Sequence, residues 1–498
     1  MGIMLKPSKC RSFSIKSGKP SVVPFHFGDS EIPSIAHDEQ KFLGKVIFFT
    51  GKSKETLNYF TDIIGDKLSN IDSAMVRREY QMWMYPKYFL PSIRFLLTVH
   101  DITVSDLKKL DAISHKFLKQ WAGVPRSGTN LIFHMQQGLE IPTISQLYEE
   151  AHCLNHTAMR LKGDPVVNAA MDNAIERESQ FVRKGSAVVR AQEVHEAAMH
   201  KNCVGGEFPQ FPDNCKEKYQ LTKKINETVK VTLREKAQES NIEHLNTLIM
   251  QGEFLKFSLQ EKQDPIWKGF MWNLKSGTAK FLINSTIHTL PTQNNLKLWN
   301  KASSDKCHLC GNRETTKHAL SFCQVALNQG RFLWRHDNIV KFIVKNIDQK
   351  YTMHSDVDGH MTPNGGTVPA ALTVTALKPD ITVLDVEKNI FEILELSVPF
   401  EDCITSRHKH KADKYAHFCT DITTHKTTVT AFEVGVRGFL TSDNLKRLNY
   451  IYPFTSKNMT QEKFIENCSA LAIMGSFYLF TARKEPTWSN PGYLTPPL

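Results

Sequence analysis

The chain has 498 residues, 41% of them hydrophobic and 23% charged, ordinary globular values that exclude a stapled peptide, a collagen-like repeat and a fully disordered chain and leave room for roughly three domains. Lys and Arg total 62 against 51 Asp and Glu, a net +11, which favours a polyanionic partner such as nucleic acid or an anionic membrane surface. The best apolar run, Leu471 to Ala482, has twelve residues, short of the ~18 a membrane span needs, and the run before Lys6, Lys9 and Arg11 is too short for a secretory signal, so an intracellular protein with no membrane partner is expected.

Up to residue 50, apolar runs broken by Gly and Pro (FSI at Phe13, FHFG at Phe25, KFLGKVIFF at Lys41) predict hairpin strands. From about Lys54 to Arg160 the spacing becomes helical, with Leu57, Phe60, Ile63 and Ile64, then Leu107, Leu110, Ile113, Phe117 and Leu118. Lys116, Lys119 and Arg126 lie around the latter helix and are candidate phosphate contacts. Residues 163–215 are poorer in large apolar residues and end in VGGEFPQFPDNC, so they read as a connector closing on a linker. Lys216 to Lys236 then carries seven basic residues against three acidic. Helical spacing returns with Leu245, Leu248, Ile249, Phe254 and Leu255. Beyond Asp356 the pattern alternates: DITVLD and NIFEILELSV predict the arms of a hairpin, and a helix follows from Thr405 to about Thr420. No internal repeat is visible.

Of ten Cys, seven are scattered singly, as in a reducing compartment. Cys307, Cys310, His318 and Cys323 instead form CxxC, seven residues to the His, then four to the last Cys. The CxxC pair grips a metal from a tight turn, helped by Gly311, and the later pair projects from a short helix. Three thiolates and an imidazole favour Zn2+ over an iron–sulfur cluster, and four filled positions favour a structural role. Just downstream, Arg331, Trp334, Arg335 and His336 mix cations with an aromatic ring. Such a set either stacks on bases and holds phosphates or packs against the zinc segment.

Asp380 opens the first hairpin arm and Glu395 lies fifteen residues later on the second. Paired strands can bring two such carboxylates to one end of a sheet to hold Mg2+, which activates water and stabilises charge on a phosphate. Two solvated strand ends are the alternative. Lys411, Lys414 and Tyr415 fall within one turn of the next helix. A Lys there could orient water beside the metal, or the helix could present a solvated basic face.

CHLCGNRETTKHALSFCQVALNQGRFLWRHD, followed in order by KPD, ELSVPFE, HKADKYAHF and FEVGVRG, resembles the C-terminal half of non-LTR retrotransposon proteins that carry a restriction-like endonuclease. DPIWKGFMWNLKSGTAKFLINSTIHTLPTQNNLKLW resembles their linker, KFLKQWAGVPRSGTN their reverse-transcriptase thumb, and KPSKCRSFSI with KFLG the end of their palm. The resemblance implies a multidomain α+β chain. Its parts are a palm end over 1–50, a helical thumb over 51–162, a connector over 163–215, a basic helical linker over 216–300, a CCHC zinc knuckle over 301–345 and an α/β PD-(D/E)xK-like nuclease over 356–498.

It further implies a Mg2+-dependent endonuclease that nicks target DNA to prime reverse transcription of element RNA in the nucleus, with Asp380 and Glu395 as metal ligands. A DNA/RNA-binding remnant is the alternative, and no oligomeric state is implied. Where the general nuclease pattern has a Lys two residues after the Glu, Ser397 stands here. The family is similar in placing that Lys on the following helix, which makes Lys411 the natural candidate and Lys414 its rival. Asp385 and Glu392 are alternative carboxylates. None of Asp29, Glu31, Asp38 and Glu39 sits in a palm motif, so no DNA synthesis by this chain is expected.

Overall fold

Where Gly or Ser reaches positive φ between short alternating runs, the chain reverses into hairpins. In a computed structural model, which describes residues 6, 9–37, 40–42, 44–49, 53–180, 186–203, 209 and 214–497, Ser14–Lys16 pairs antiparallel with Lys19–Ser21. The two-residue loop has Ser17 at φ 51° and Gly18 at 72°, the twist that matches paired strands. Two more antiparallel hairpins follow, Phe25–Phe27 with Ser30–Ile32 and Gln40–Phe42 with Lys45–Ile47. Asp38, Glu39, Leu43 and most of the segment 204–215 lie outside the described residues. The chain divides into two compact units, Met1–Trp121 with Ile141–Ile242, and Ala122–Glu140 with Glu243–Leu498.

After its hairpins the first unit is helical, as the spacing predicts. The helix Ile144–Lys162 shows why its ends fall where they do. The Thr143 hydroxyl accepts from the Gln146 amide, the Gln146 side chain accepts from the Thr143 amide, and Gly163 closes the helix at φ 71°. Within the connector expected over 163–215, Pro165–Gln180 and Ala187–Lys201 are helices. Ala191, Val194 and Ala198 make a narrow buried stripe that packs with Cys153, Ile225 and Val229. Small residues at helical spacing suffice to bury a helix.

In the second unit we label α1 (Arg331–Asn346), β1 (Thr352–Ser355), β2 (Ile381–Asp385), β3 (Ile390–Ser397), α2 (Ile404–Tyr415), β4 (Lys426–Glu433), α3 (Ser442–Ile451) and α4 (Gln461–Thr481). The sheet order is β4-β3-β2-β1, with β1/β2 and β2/β3 antiparallel and β3/β4 parallel. The expected hairpin is β2 and β3, joined so that Asp385 faces Ile390, and Asn389 supplies positive φ in the turn. Ile339, Val340 and Ile343 of α1 with Phe464, Cys468 and Leu471 of α4 cover Val383, Leu394, Leu396 and Phe432. Tyr415, Phe418 and Ile422 cover Phe391 and Ile393 on the opposite face. A central strand covered on both faces reads as a nearly continuous apolar run, which makes its two acids, Glu392 and Glu395, conspicuous. By length and composition α4 with its extension to Lys484 could cross a membrane, but 72% of its apolar window is buried inside the fold, as in the core helix of a globular domain.

Candidate metal centre and catalytic cleft

The zinc ligands come together as their spacing predicts. Gly311 at φ 74° lets the CxxC turn close, with the Gly311 amide donating to the Cys307 carbonyl at 3.0 Å. His318 opens the short helix His318–Phe322, and Cys323 caps it. All four ligand atoms lie within 4.8 Å of one another. Cys307 Sγ and Cys323 Sγ are 4.0 Å apart, and Cys310 Sγ is 3.3 Å from His318 Nε2. A zinc tetrahedron with ~2.3 Å Zn–S and ~2.0 Å Zn–N bonds has edges of ~3.8 and ~3.5 Å, so the donor set fits the ion. Burial and neighbouring thiols push Cys323 up to about 12.

Arg331 and Arg335, expected at phosphates, are corrected: each is 1% exposed. Arg331 donates to the carbonyls of Ala482 (2.8 Å) and Glu485 (2.6 Å), and Arg335 to those of Leu320 (2.9 Å) and Val398 (3.1 Å) and to Ser476 Oγ (3.0 Å). They follow a helical stripe that faces inward, and their guanidinium groups satisfy buried carbonyls rather than solvent. Of the other expected nucleic-acid contacts, Lys116 is exposed and Lys119 half-buried in the first unit, while Arg126 is exposed in the second.

Asp380 precedes β2, Glu395 sits on β3 and Lys411 on α2, and the fold brings the three together. The Lys411 ammonium bonds to Glu395 Oε2 and lies 3.9 Å from Asp380 Oδ2. The Asp380 amide donates to Glu395 Oε1 at 3.1 Å, and the Leu396 amide to Asp380 Oδ2 at 2.8 Å. A cation already bridges the two carboxylates in the form of an ammonium, so they converge on a point suited to positive charge. Burial and the neighbouring Asp380 push the Glu395 carboxyl up against the pull of Lys411. Burial would also raise Asp380, but the cations of His336 and Lys411 overcome it and hold the carboxyl low.

Lys414 does not reach the carboxylates. Its Nζ is 2.9 Å from the Tyr415 hydroxyl, which lies beside Glu395. Asp385 is the last residue of β2, at the turn end of the hairpin, and accepts from the Lys388 amide. Glu392 points to the opposite face of β3, where Thr430 and Tyr450 donate to it. Neither acid joins this site.

Sequence reasoning missed the role of His336. Its Nε2 is 3.1 Å from Asp380 Oδ2 and its Nδ1 2.9 Å from Asp337 Oδ1. Burial opposes its charge, yet the two carboxylates raise it to about 10, so both ring nitrogens donate. The pairing joins residues 44 apart in sequence, which no local spacing announces. A cleft of about 370 Å³ opens onto Asp380 and Lys411, lined on one side by Phe322, Leu327 and Leu333 near the zinc ligands and on the other by Arg407 and His410 of α2.

Residues 253–329 match the family described as zinc-binding in reverse transcriptase. That places the start of the zinc domain within the stretch expected to be linker. The chain is also 26% identical over 160 residues to the retrovirus-related Pol polyprotein from type-1 retrotransposable element R2 of Nasonia vitripennis. The match takes in 30% of this chain and spans only 15% of that relative's length. With the Cys3His geometry, these likenesses mark the chain as a non-LTR retrotransposon-related protein carrying a zinc-binding, reverse-transcriptase-associated domain.

Proposed function

We propose that the chain is a retrotransposon-derived, nucleic-acid-binding protein of the nucleus whose cleft is a Mg2+-dependent DNA endonuclease of the restriction-like type, nicking target DNA to prime reverse transcription of element RNA. The observation that carries this reading is the convergence of Asp380, Glu395 and Lys411 at one edge of a mixed sheet beside an open cleft. Asp380 and Glu395 would hold the divalent ion, which supplies an activated water and charge stabilisation at phosphorus. His336 and the Leu396 amide fix Asp380 Oδ2 in place. Lys411, which lines the cleft, would then stabilise charge that grows on a phosphate in the transition state. Arg407, Lys409, His410 and Lys414 are exposed on the same helix and take over the phosphate-holding role that the buried Arg331 and Arg335 do not fill. The zinc site, with four protein ligands, is structural.

The test is nicking of supercoiled plasmid by the purified chain in Mg2+ or Mn2+. Asp380→Ala and Glu395→Ala should stay folded, keep DNA binding and lose nicking by several orders of magnitude, more than a stability defect gives. Lys411→Ala should slow nicking while sparing metal binding. A wild-type chain that binds DNA and nicks no substrate with either metal would leave a binding protein without the enzyme.

A further inference from the structure

We propose that Glu433 is a positioning residue for Lys411, acting through His408, an inference that rests on the endonuclease reading above. Glu433 is the last residue of β4 and is fully buried. In the parallel register Ala431 faces Glu395 and Glu433 faces Ser397, so Glu433 lies on the side of the sheet that carries Glu395 and is covered by α2. His408 is three residues before Lys411 on α2, one helical turn away on the same face. Its Nδ1 is 3.2 Å from Glu433 Oε1.

The hydrogen bonds settle the tautomer. Arg447 of α3 places Nη2 3.2 Å from His408 Nε2, and a guanidinium only donates. Nε2 therefore accepts, the proton sits on Nδ1, and Nδ1–H donates to Glu433. Asn444 completes the clamp: its Oδ1 accepts from the Glu433 amide and from Arg447 Nη1, both at 3.0 Å. Among the described residues, besides the Tyr415 hydroxyl at the far end of α2, which lies beside Glu395 and 3.4 Å from the Lys378 carbonyl, the helix is tied to the sheet edge by two polar anchors one turn apart, Lys411 on Glu395 and His408 on Glu433.

The two anchors have different fates. The carboxylates that now hold Lys411 are those that would ligate a divalent cation, and they cannot serve both partners fully. Once Lys411 is released, the buried Tyr415 holds the far end of α2, and the polar hold on the turn before the ammonium is His408 on Glu433. A buried carboxylate, an imidazole of defined tautomer and a guanidinium are a costly way to fill a sheet edge that Leu or Met could fill. They do supply a directional bond, which apolar packing lacks.

The test uses the full chain with Glu433→Ala, Glu433→Gln and His408→Ala, each alone and with Lys411→Ala, and two readouts. Plasmid nicking should fall about 10- to 100-fold in Glu433→Ala and His408→Ala, the range typical for residues that orient a reacting group. Glu433→Gln should be rescued, because its amide oxygen still accepts from His408 Nδ1–H. Neither Ala change should slow nicking further once Lys411 is already Ala. The second readout needs no nicking: reductive methylation of Lys411 against exposed Lys409, followed by mass spectrometry. Lys411 should label slowly in the wild type and in Glu433→Gln, and several-fold faster in Glu433→Ala and His408→Ala. His408 is partly exposed, so its Ala variant keeps the test open if Glu433→Ala fails to fold. Equal loss in Glu433→Gln and Glu433→Ala, a further loss on the Lys411→Ala background, or unchanged Lys411 labelling would overturn the proposal. Absence of wild-type nicking would sink the endonuclease reading, and the labelling would still decide the positioning.

Discussion

Replacing Arg437 by Met should do more damage than any other single change at the junction between the zinc domain and the sheet. Arg437 and Glu401 are each 1% exposed, with Nη2 2.6 Å and Nε 2.8 Å from Glu401 Oε2. The Arg437 backbone amide donates to Glu401 Oε1 at 2.8 Å, and Nη1 to the Ser285 carbonyl at 3.2 Å. The guanidinium carbon also lies 4.3 Å from the Phe400 ring centroid and 4.7 Å from that of Phe254. Met fills much of the volume but leaves Glu401 with one backbone donor and an uncompensated buried charge. Breaking a buried pair from one side costs about 3–5 kcal/mol. Replacing both partners should cost far less, because no orphaned charge remains. Urea unfolding of wild type, Arg437→Met, Glu401→Met and the double variant, followed by the fluorescence of the buried Trp267 and Trp334, measures this cycle. A single variant within about 0.5 kcal/mol of wild type, or a double variant no more stable than Arg437→Met, would refute the reasoning.

Purified chain should carry one zinc, and Cys307→Ser or His318→Ala should lose it and open residues 300–345 to protease; elemental analysis without zinc in protein never exposed to chelator would contradict this. Glu392 gives a pH prediction. Burial raises its carboxyl from 4.5 to about 7 in the folded chain, so between those values the folded state holds the proton more tightly than the unfolded state. Stability from this group is therefore present below the unfolded value and lost as pH rises through about 7. Glu392→Gln, which does not titrate, should gain on wild type by up to about 3 kcal/mol between pH 4 and pH 8.5. Denaturation curves whose difference is the same at both pH values would count against it.

The zinc ligands were legible because a metal site in one short segment writes its geometry into spacing. The β2–β3 hairpin was legible too, since its arms are consecutive and a turn lies between them. In sequence, Lys411 is preferred to Lys414 on the family resemblance alone, because 411 and 414 lie within one turn and only the packing of Tyr415 under the sheet fixes which ammonium faces the acids. Arg331 and Arg335 misled because an arginine in an amphipathic helix reads as surface, whereas here both satisfy carbonyls from distant segments. His336 with Asp380 and Glu433 with His408 are contacts across the sheet edge. His408 lies on the same helix as Lys411, but nothing local named its partner. The grouping of residues 122–140 with 243–498 is likewise a long-range fact without a local signature.

Helix α1 bears on how this chain can be cut. It begins eight residues after the last zinc ligand, roots itself through Arg335 in the carbonyls of Leu320 and Val398, supplies Ile339, Val340 and Ile343 to the sheet core, and delivers His336 to Asp380. The gap between α1 and β1 looks in sequence like the seam between two modules, and a fragment beginning there would expose half of its core and leave Asp380 without its imidazole. Zinc segment and sheet therefore stand as one block, and the compact unit that holds them runs from Glu243 to the end and also takes in residues 122–140.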